Sequence, residues 1–205
     1  MALRREDAFF ASLRSGILGP TLSPSEVEGC QAILSAAEGL PISFVAYMLA
    51  TAYHETATTM QPVKEANWLS PAAQRAYFFR MYDIEGARPD VARALGNLQP
   101  GDGARFPGMG YVQCTGRKNA ERAQRELGLP IVDNPALLMR PDIAAKVMRR
   151  GMVEGWFTGK KLADYLPDLG GFVAARRIIN GTDRADAIAS HARKFMDALV
   201  AGDWK

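Results

Sequence analysis

Residues 41–56 read PISFVAYMLATAYHET. Phe44, Val45, Met48, Leu49, Ala52 and Tyr53 recur at the three- and four-residue steps of one helical face, and Pro41 ends the element before it. The stretch is therefore a helix starting near Ser43, with an apolar stripe that must face a core. At 100° per residue, Glu55 falls within about 20° of Met48 and of Phe44, on the stripe side of its own helix. An unpaired carboxylate on an apolar face is costly. Desolvation favours the neutral form, the state in which a carboxylic acid donates a proton near neutral pH. The competing reading is that Glu55 merely closes the helix and reaches solvent or an arginine; position alone leaves both open.

Outward from this helix the pattern stays helical. Residues from about Arg4 to Leu18 form a first amphipathic segment, stopped by Gly19-Pro20. Ser23-Pro24-Ser25-Glu26 has the form of a capping box opening a helix that runs to about Glu38. Further helices are predicted at about 71–82, 88–96, 118–127, 141–157, 171–180 and 183–200, with Pro71, Pro89, Pro141 and Gly181 as punctuation. Gln99 to Gly110 holds Pro100-Gly101-Asp102-Gly103 and Pro107-Gly108-Met109-Gly110, which speaks against regular structure. It leads into Tyr111-Val112-Gln113-Cys114-Thr115, a short alternating strand candidate. A glycine-rich approach to a polar-tipped strand is either a place where a substrate lies against backbone or an ordinary surface loop. The expected fold class is mainly α, an α+β arrangement forming one compact helical domain over 1–205 with a short β element near 111–115.

Composition narrows the function classes. The chain has 205 residues, 48% of them hydrophobic, enough for one well-buried core. A net charge of +3 is too mild for a nucleic-acid footprint, and the charge runs alternate in sign, as in Arg4-Arg5-Glu6-Asp7. Cys30 and Cys114 stand far apart in apolar surroundings and read as buried free thiols, with no metal cluster possible from them alone. The N-terminus lacks the apolar core of a secretory signal, and no stretch approaches the roughly 20 apolar residues of a membrane span. The expectation is a soluble cytoplasmic product that another protein must deliver if it acts on a cell wall.

Ten residues beyond Glu55, Glu65 sits in Pro62-Val63-Lys64-Glu65-Ala66, past the helix end, so the two carboxylates belong to different elements. Glycoside hydrolysis needs such a pair: one acid protonates the leaving oxygen, and a second carboxylate serves as base or nucleophile. A solvated Lys64–Glu65 surface pair is the rival reading. Other chemistries fall away. His54-Glu55-Thr56 does not continue to a histidine at the zinc-protease spacing, no Gly-x-Ser-x-Gly elbow occurs, and the glycine-rich loop lacks the Lys-Ser/Thr of a phosphate loop. A Cys114 nucleophile would have only His54 or His191 as base.

Four segments together resemble glycoside hydrolase family 19, the chitinase family, and within it the compact phage endolysin branch. They are Ala52-Tyr53-His54-Glu55-Thr56, Pro62-Val63-Lys64-Glu65, Gly108-Met109-Gly110-Tyr111-Val112-Gln113-Cys114-Thr115-Gly116-Arg117-Lys118-Asn119, and Ile178-Ile179-Asn180-Gly181. The resemblance implies a lysozyme-like helical fold and an inverting mechanism, with Glu55 as general acid and Glu65 as general base. Thr115 would help Glu65 position the attacking water, and Gln113, Asn119 and Asn180 would hydrogen-bond the sugar chain. Inversion requires the carboxylates to stand roughly 6.5–9.5 Å apart. No cofactor or metal is implied. Two positions depart from the family pattern: Met109 replaces an arginine between two glycines, and Ala120 stands where an aromatic follows the asparagine. The arginine's contacts would have to come from elsewhere, with Arg105 and Arg117 as candidates.

The expected function is a peptidoglycan-degrading endolysin of muramidase type, cutting between N-acetylmuramic acid and N-acetylglucosamine. Peptidoglycan is preferred to chitin because the disulfide-rich build, signal and longer loops of plant-type chitinases are missing. The expected partner is the glycan strand, with no nucleic acid and no membrane insertion. The protein is expected to be a monomer, made in the host cytoplasm and reaching the periplasmic wall through a holin-type partner. Three alternatives stay open: a chitinase; a lytic transglycosylase, which does not need Glu65; and a catalytically silent wall-binding protein.

Overall fold

The computed structural model describes residues 3–167 and 169–205. Mainly helical structure is found, with helices α1 (Glu6–Gly16), α2 (Pro24–Ala36) and α3 (Ile42–Glu55), strand β1 (Val63–Lys64), helices α4 (Pro71–Tyr82), α5 (Pro89–Ala94) and α6 (Asp102–Arg105), strand β2 (Met109–Gly110), and helices α7 (Arg117–Leu127), α8 (Pro141–Glu154) and α9 (Ala185–Ala201). The punctuation acts as expected. Ser23 Oγ accepts from the Glu26 N–H while Glu26 reaches back to the Ser23 N–H, and Pro71 and Pro89 open α4 and α5. Among the described residues no helix is long and apolar enough to cross a membrane.

Three local expectations are corrected. The β element forms, but as β1 paired antiparallel with β2 (Val63 with Gly110, Lys64 with Met109) instead of along 111–115. Gly110 has φ +90° and Gln113 φ +51°, so residues 111–113 double back and Cys114 bridges to Met109. The alternation of Tyr111 to Thr115 is that of a tight reversal with a buried side. Second, the helix expected at 171–180 is two short 3-10 turns, Leu169–Phe172 and Ala174–Ile178. Here Gly171 lies so close to the Tyr165 backbone that a Cβ would come within 1.6 Å of its carbonyl oxygen. Third, the 99–110 loop contains the one-turn helix α6.

The chain divides into two compact units, Met1–Gln61 with Ala145–Lys205, and Pro62–Ala144. In the first, α3 is buried continuously from Val45 to Ala52, more than the single stripe expected. Helix α9 packs along α3 and α1, with Tyr53 edge-on to His191 and Phe195. Fully burying side chains such as Phe9, Leu13, Ile33 and Phe195 contributes roughly 1.5–3 kcal/mol each. The chain ends meet here: Leu3 bridges Trp204, the Arg4 and Arg5 N–H groups donate to the Gly202 carbonyl, and Trp204 Nε1 donates to the Leu40 carbonyl.

The second unit is organised by buried polar side chains. Asp83, fully buried, accepts from the N–H groups of Gly101 (2.8 Å), Gly103 (3.1 Å) and Glu85 (3.2 Å). Asn97 donates to the Tyr82 carbonyl and accepts from the Arg117 N–H. Asp102 pairs with Arg117 at 2.6 Å, and that guanidinium lies 4.8 Å from the Phe106 ring centre. Burial opposes the charged form of Asp102. The Arg117 hydrogen bonds and charge, with the Gln99 and Leu98 backbone, override it and hold the carboxyl below its usual range. The glycine-rich loop is thus tethered at several points. Cys30 and Cys114 are free and buried, and burial pushes each thiol up to about 12, which leaves both unreactive as nucleophiles.

Candidate functional site

Glu65 follows β1 directly, and its backbone extends the ladder: the Glu65 N–H donates to the Gly108 carbonyl at 2.8 Å. Its carboxylate is held from two sides. The hydroxyls of Tyr82 (2.8 Å) and Tyr77 (3.1 Å), both from α4, donate to Oε1, and the Gly108 N–H donates to Oε2 at 3.3 Å. The surface-pair reading with Lys64 gives way to this arrangement, since Lys64 Nζ lies 5.6 Å from the Phe78 ring centre. Burial, followed by the Glu65 hydrogen bond and charge, pushes the Tyr82 hydroxyl well above the ordinary phenol value. Tyr77 moves the same way, with burial first and Glu65 second. Both therefore stay protonated as donors across the neutral range.

Gly108 is where three of the predicted residues of this unit, Glu65, Gln113 and Thr115, come together. A Cβ there would lie 2.7 Å from Gln113 Oε1, 3.1 Å from Glu65 Oε2 and 3.2 Å from Thr115 Oγ1, so only glycine leaves the three oxygens undisturbed. Gln113 is aimed by its left-handed backbone and by its amide nitrogen, which donates to the carbonyls of Val63 (3.1 Å) and Gly110 (3.3 Å). The Thr115 hydroxyl donates to the Gln113 carbonyl at 2.8 Å, so its own oxygen is left as an acceptor. Three acceptors facing one region make its complement a group with hydrogens to give: a water, a sugar hydroxyl or an amide N–H. Asn119 lies on the first turn of α7 with its amide nitrogen donating to the Thr115 carbonyl at 2.9 Å, which fastens this loop to the helix.

In the other unit Glu55 is the last residue of α3, and of the two readings left open the structure shows the one in which it closes the helix and reaches an arginine. Arg176 Nη1 donates to its Oε1 at 2.5 Å, with the arginine side chain 4% and the glutamate side chain 19% exposed. The Arg176 Nε donates to the Asp183 carbonyl at 2.9 Å, and its own carbonyl accepts from the Asn180 N–H at 3.0 Å. Asn180 is exposed. One arginine thus ties together the two predicted residues of this unit. Burial pushes the Tyr47 hydroxyl, two turns back along α3, above its usual range, an effect the Arg176 charge offsets in part.

Sequence reasoning missed Arg176, Tyr77 and Tyr82. Arg176-Arg177 directly precedes the Ile-Ile-Asn-Gly segment, which marks the neighbourhood, but nothing in the sequence distinguishes the buried arginine from the exposed one beside it. Arg105 donates to the Val132 carbonyl, and Arg117 is committed to Asp102, Gln99 and Phe106. Met109 itself is buried in β2.

No protein-family model matches the chain, and no curated protein matches it significantly. Solved structures do. Chitinase C from Streptomyces griseus HUT6037 superposes with a TM-score of 0.60 at 21% identity, over 98% of this chain and 77% of the chitinase chain. A point mutant of chitinase C gives 0.62 at 19% identity over the same shares. At these identities the likeness is one of fold: the chain has a chitinase-like helical fold.

Proposed function

We propose that this protein is a glycoside hydrolase that cleaves peptidoglycan between N-acetylmuramic acid and N-acetylglucosamine by an inverting acid/base mechanism, its 205 residues acting as one catalytic domain. The observation that carries the reading is the convergence of Glu65 Oε2, Thr115 Oγ1 and Gln113 Oε1 at Gly108. A water there donates one hydrogen to Glu65 and the other to Thr115, which directs its remaining lone pairs outward. As the water attacks the anomeric carbon, Glu65 takes its proton. Glu55, entering the step protonated with its Oε1 still accepting from Arg176, gives that proton to the departing glycosidic oxygen, and the C–O bond breaks with inversion at that carbon. Gln113, Asn119 and Asn180 supply neutral amides suited to sugar hydroxyls and N-acetyl groups.

The chitinase-like fold supports the hydrolase class and also favours a second substrate, chitin, because the superposed proteins are chitinases. On the peptidoglycan reading the protein belongs with phage endolysins and acts as a monomer at the wall, once a holin-type partner has opened the inner membrane. Mass analysis of soluble products from purified peptidoglycan and from chitin oligomers tests both, with Glu55→Gln and Glu65→Gln in parallel. Reducing muropeptides from the wild type, lowered about 10²–10⁴-fold in each variant, are expected. Anhydro products that persist in Glu65→Gln would mean a transglycosylase, and cleavage of chitin alone would move the substrate.

A further inference from the structure

Trp68 is the most exposed large apolar side chain among the described residues, at 79%, whereas Trp156 and Trp204 are 7% and 8% exposed. A lone exposed apolar residue needs no explanation by itself. What distinguishes this one is how its backbone is held. The Leu69 N–H donates to the Ala66 carbonyl at 3.0 Å, closing a turn with Asn67 and Trp68 at its corner. Gln74, from α4, donates its amide nitrogen to the carbonyls of both Ala66 and Leu69, each at 3.2 Å. Ala66 is buried in a left-handed conformation (φ +56°), and Ser70 caps α4 through the Ala73 N–H. The turn is therefore fastened at both ends to the helix that also supplies Tyr77 and Tyr82 to Glu65.

That turn begins at the residue after Glu65, so the Cα atoms of Glu65 and Trp68 lie within about 11 Å of each other. An indole held rigidly on a turn offers a flat apolar face at little entropic cost. The complement of such a face is the C–H side of a pyranose ring, and the exposed Asn67 beside it presents an amide to the ring's hydroxyls. We propose that Trp68 is a stacking platform for a sugar ring of the glycan strand whose cleavage Glu65 serves, at a ring flanking the bond that is cut. The proposal rests on the hydrolase reading above and supplies a binding site to it.

Intrinsic fluorescence provides the test, because Trp68 is the one indole of the three that is open to solvent. N-acetylglucosamine hexamer and soluble peptidoglycan glycan fragments are titrated into the Glu55→Gln protein, with and without Trp68→Ala or Trp68→Phe. The expected result is a blue shift and intensity change on binding that both substitutions abolish, with affinity, read by calorimetry, about tenfold weaker in Trp68→Ala and partly restored in Trp68→Phe. In parallel, KM of the otherwise wild-type enzyme on long oligomers should rise about tenfold with Trp68→Ala. An unchanged spectrum and unchanged affinity on saturating binding would overturn the platform while hydrolysis by the wild type left the enzyme reading standing. Failure of the wild type to hydrolyse either polymer would overturn the enzyme reading, and the titration would still decide the platform.

Discussion

Glu55 meets a formal cation, the Arg176 guanidinium at 2.5 Å, on a side chain that is almost wholly buried. Glu65 meets neutral donors instead, two phenol hydroxyls and a backbone N–H. An ion pair of the first kind is an all-or-none device: removing one member strands a buried charge. A ring of dipoles degrades in steps, since each donor contributes separately and a neutral amide can replace the carboxylate within it. The two carboxylates thus differ in what they demand of their surroundings before any substrate arrives. Glu55 is bound to the integrity of its unit, whereas Glu65 is adjustable.

The largest expected effect follows from that asymmetry. Arg176→Met, or Glu55→Ala, should destabilise the protein by about 3 kcal/mol, read as a lowered midpoint in urea, while Glu65→Gln should cost about 1 kcal/mol or less. Equal costs at the two sites would break the contrast. Next, Tyr82→Phe should lower kcat about tenfold, with Tyr77→Phe, whose hydrogen bond is longer, lowering it less and the double variant more. A Tyr82→Phe enzyme with full kcat would mean that the hydroxyl only packs. Gly108→Ala sharpens the comparison from the other side. Its methyl must displace Gln113, Glu65 or Thr115, so kcat should fall while thermal stability drops by only about 1 kcal/mol.

The smallest effect concerns pH. Both histidines lie in the unit that carries Glu55. His191 is held below its ordinary value of 6.5 by burial first, then by the nearby His54 and Lys194 charges. The unfolded chain therefore takes up the proton more readily than the native one. Stability from this group is complete above about pH 6.5 and is lost as pH falls through the lower native value. Between about pH 7.5 and about pH 5.5 the wild type should lose about 2 °C more in Tm than His191→Gln. Identical losses would show that the histidine is not the titrating group.

What was readable in advance is local. The apolar spacing of α3, the Ser23 capping box and the prolines opening α4 and α5 act within a turn or two of chain, and sequence shows such signals directly. The glycine-rich character of 99–110 was equally plain, whereas the need for glycine at 108 itself, beside oxygens of Glu65, Gln113 and Thr115, shows only in the fold. Long-range pairing left no comparable trace. Nothing near Glu55 announces an arginine more than a hundred positions away, and Tyr77 and Tyr82 read as ordinary members of an aromatic helix. The strand at 111–115 failed because alternation of buried and open side chains also describes a reversal, which the backbone signs of Gly110 and Gln113 decide. The helix at 171–180 failed because a close backbone approach at Gly171 outweighed a favourable periodicity.

The meeting of the two chain ends has a consequence for how the molecule comes into being. Helix α3 finds its packing against α9, and Glu55 finds Arg176, only after synthesis has run on through Arg176 and α9. At about 5–20 residues per second, the interval between making Glu55 and making α9 is on the order of ten seconds. The segment Pro62–Ala144 has its own internal contacts and is complete well before then. A ribosome-bound chain therefore has the whole of Pro62–Ala144 to hand while the apolar α3 still awaits its cover. In that window the ion pair at Glu55 does not yet exist.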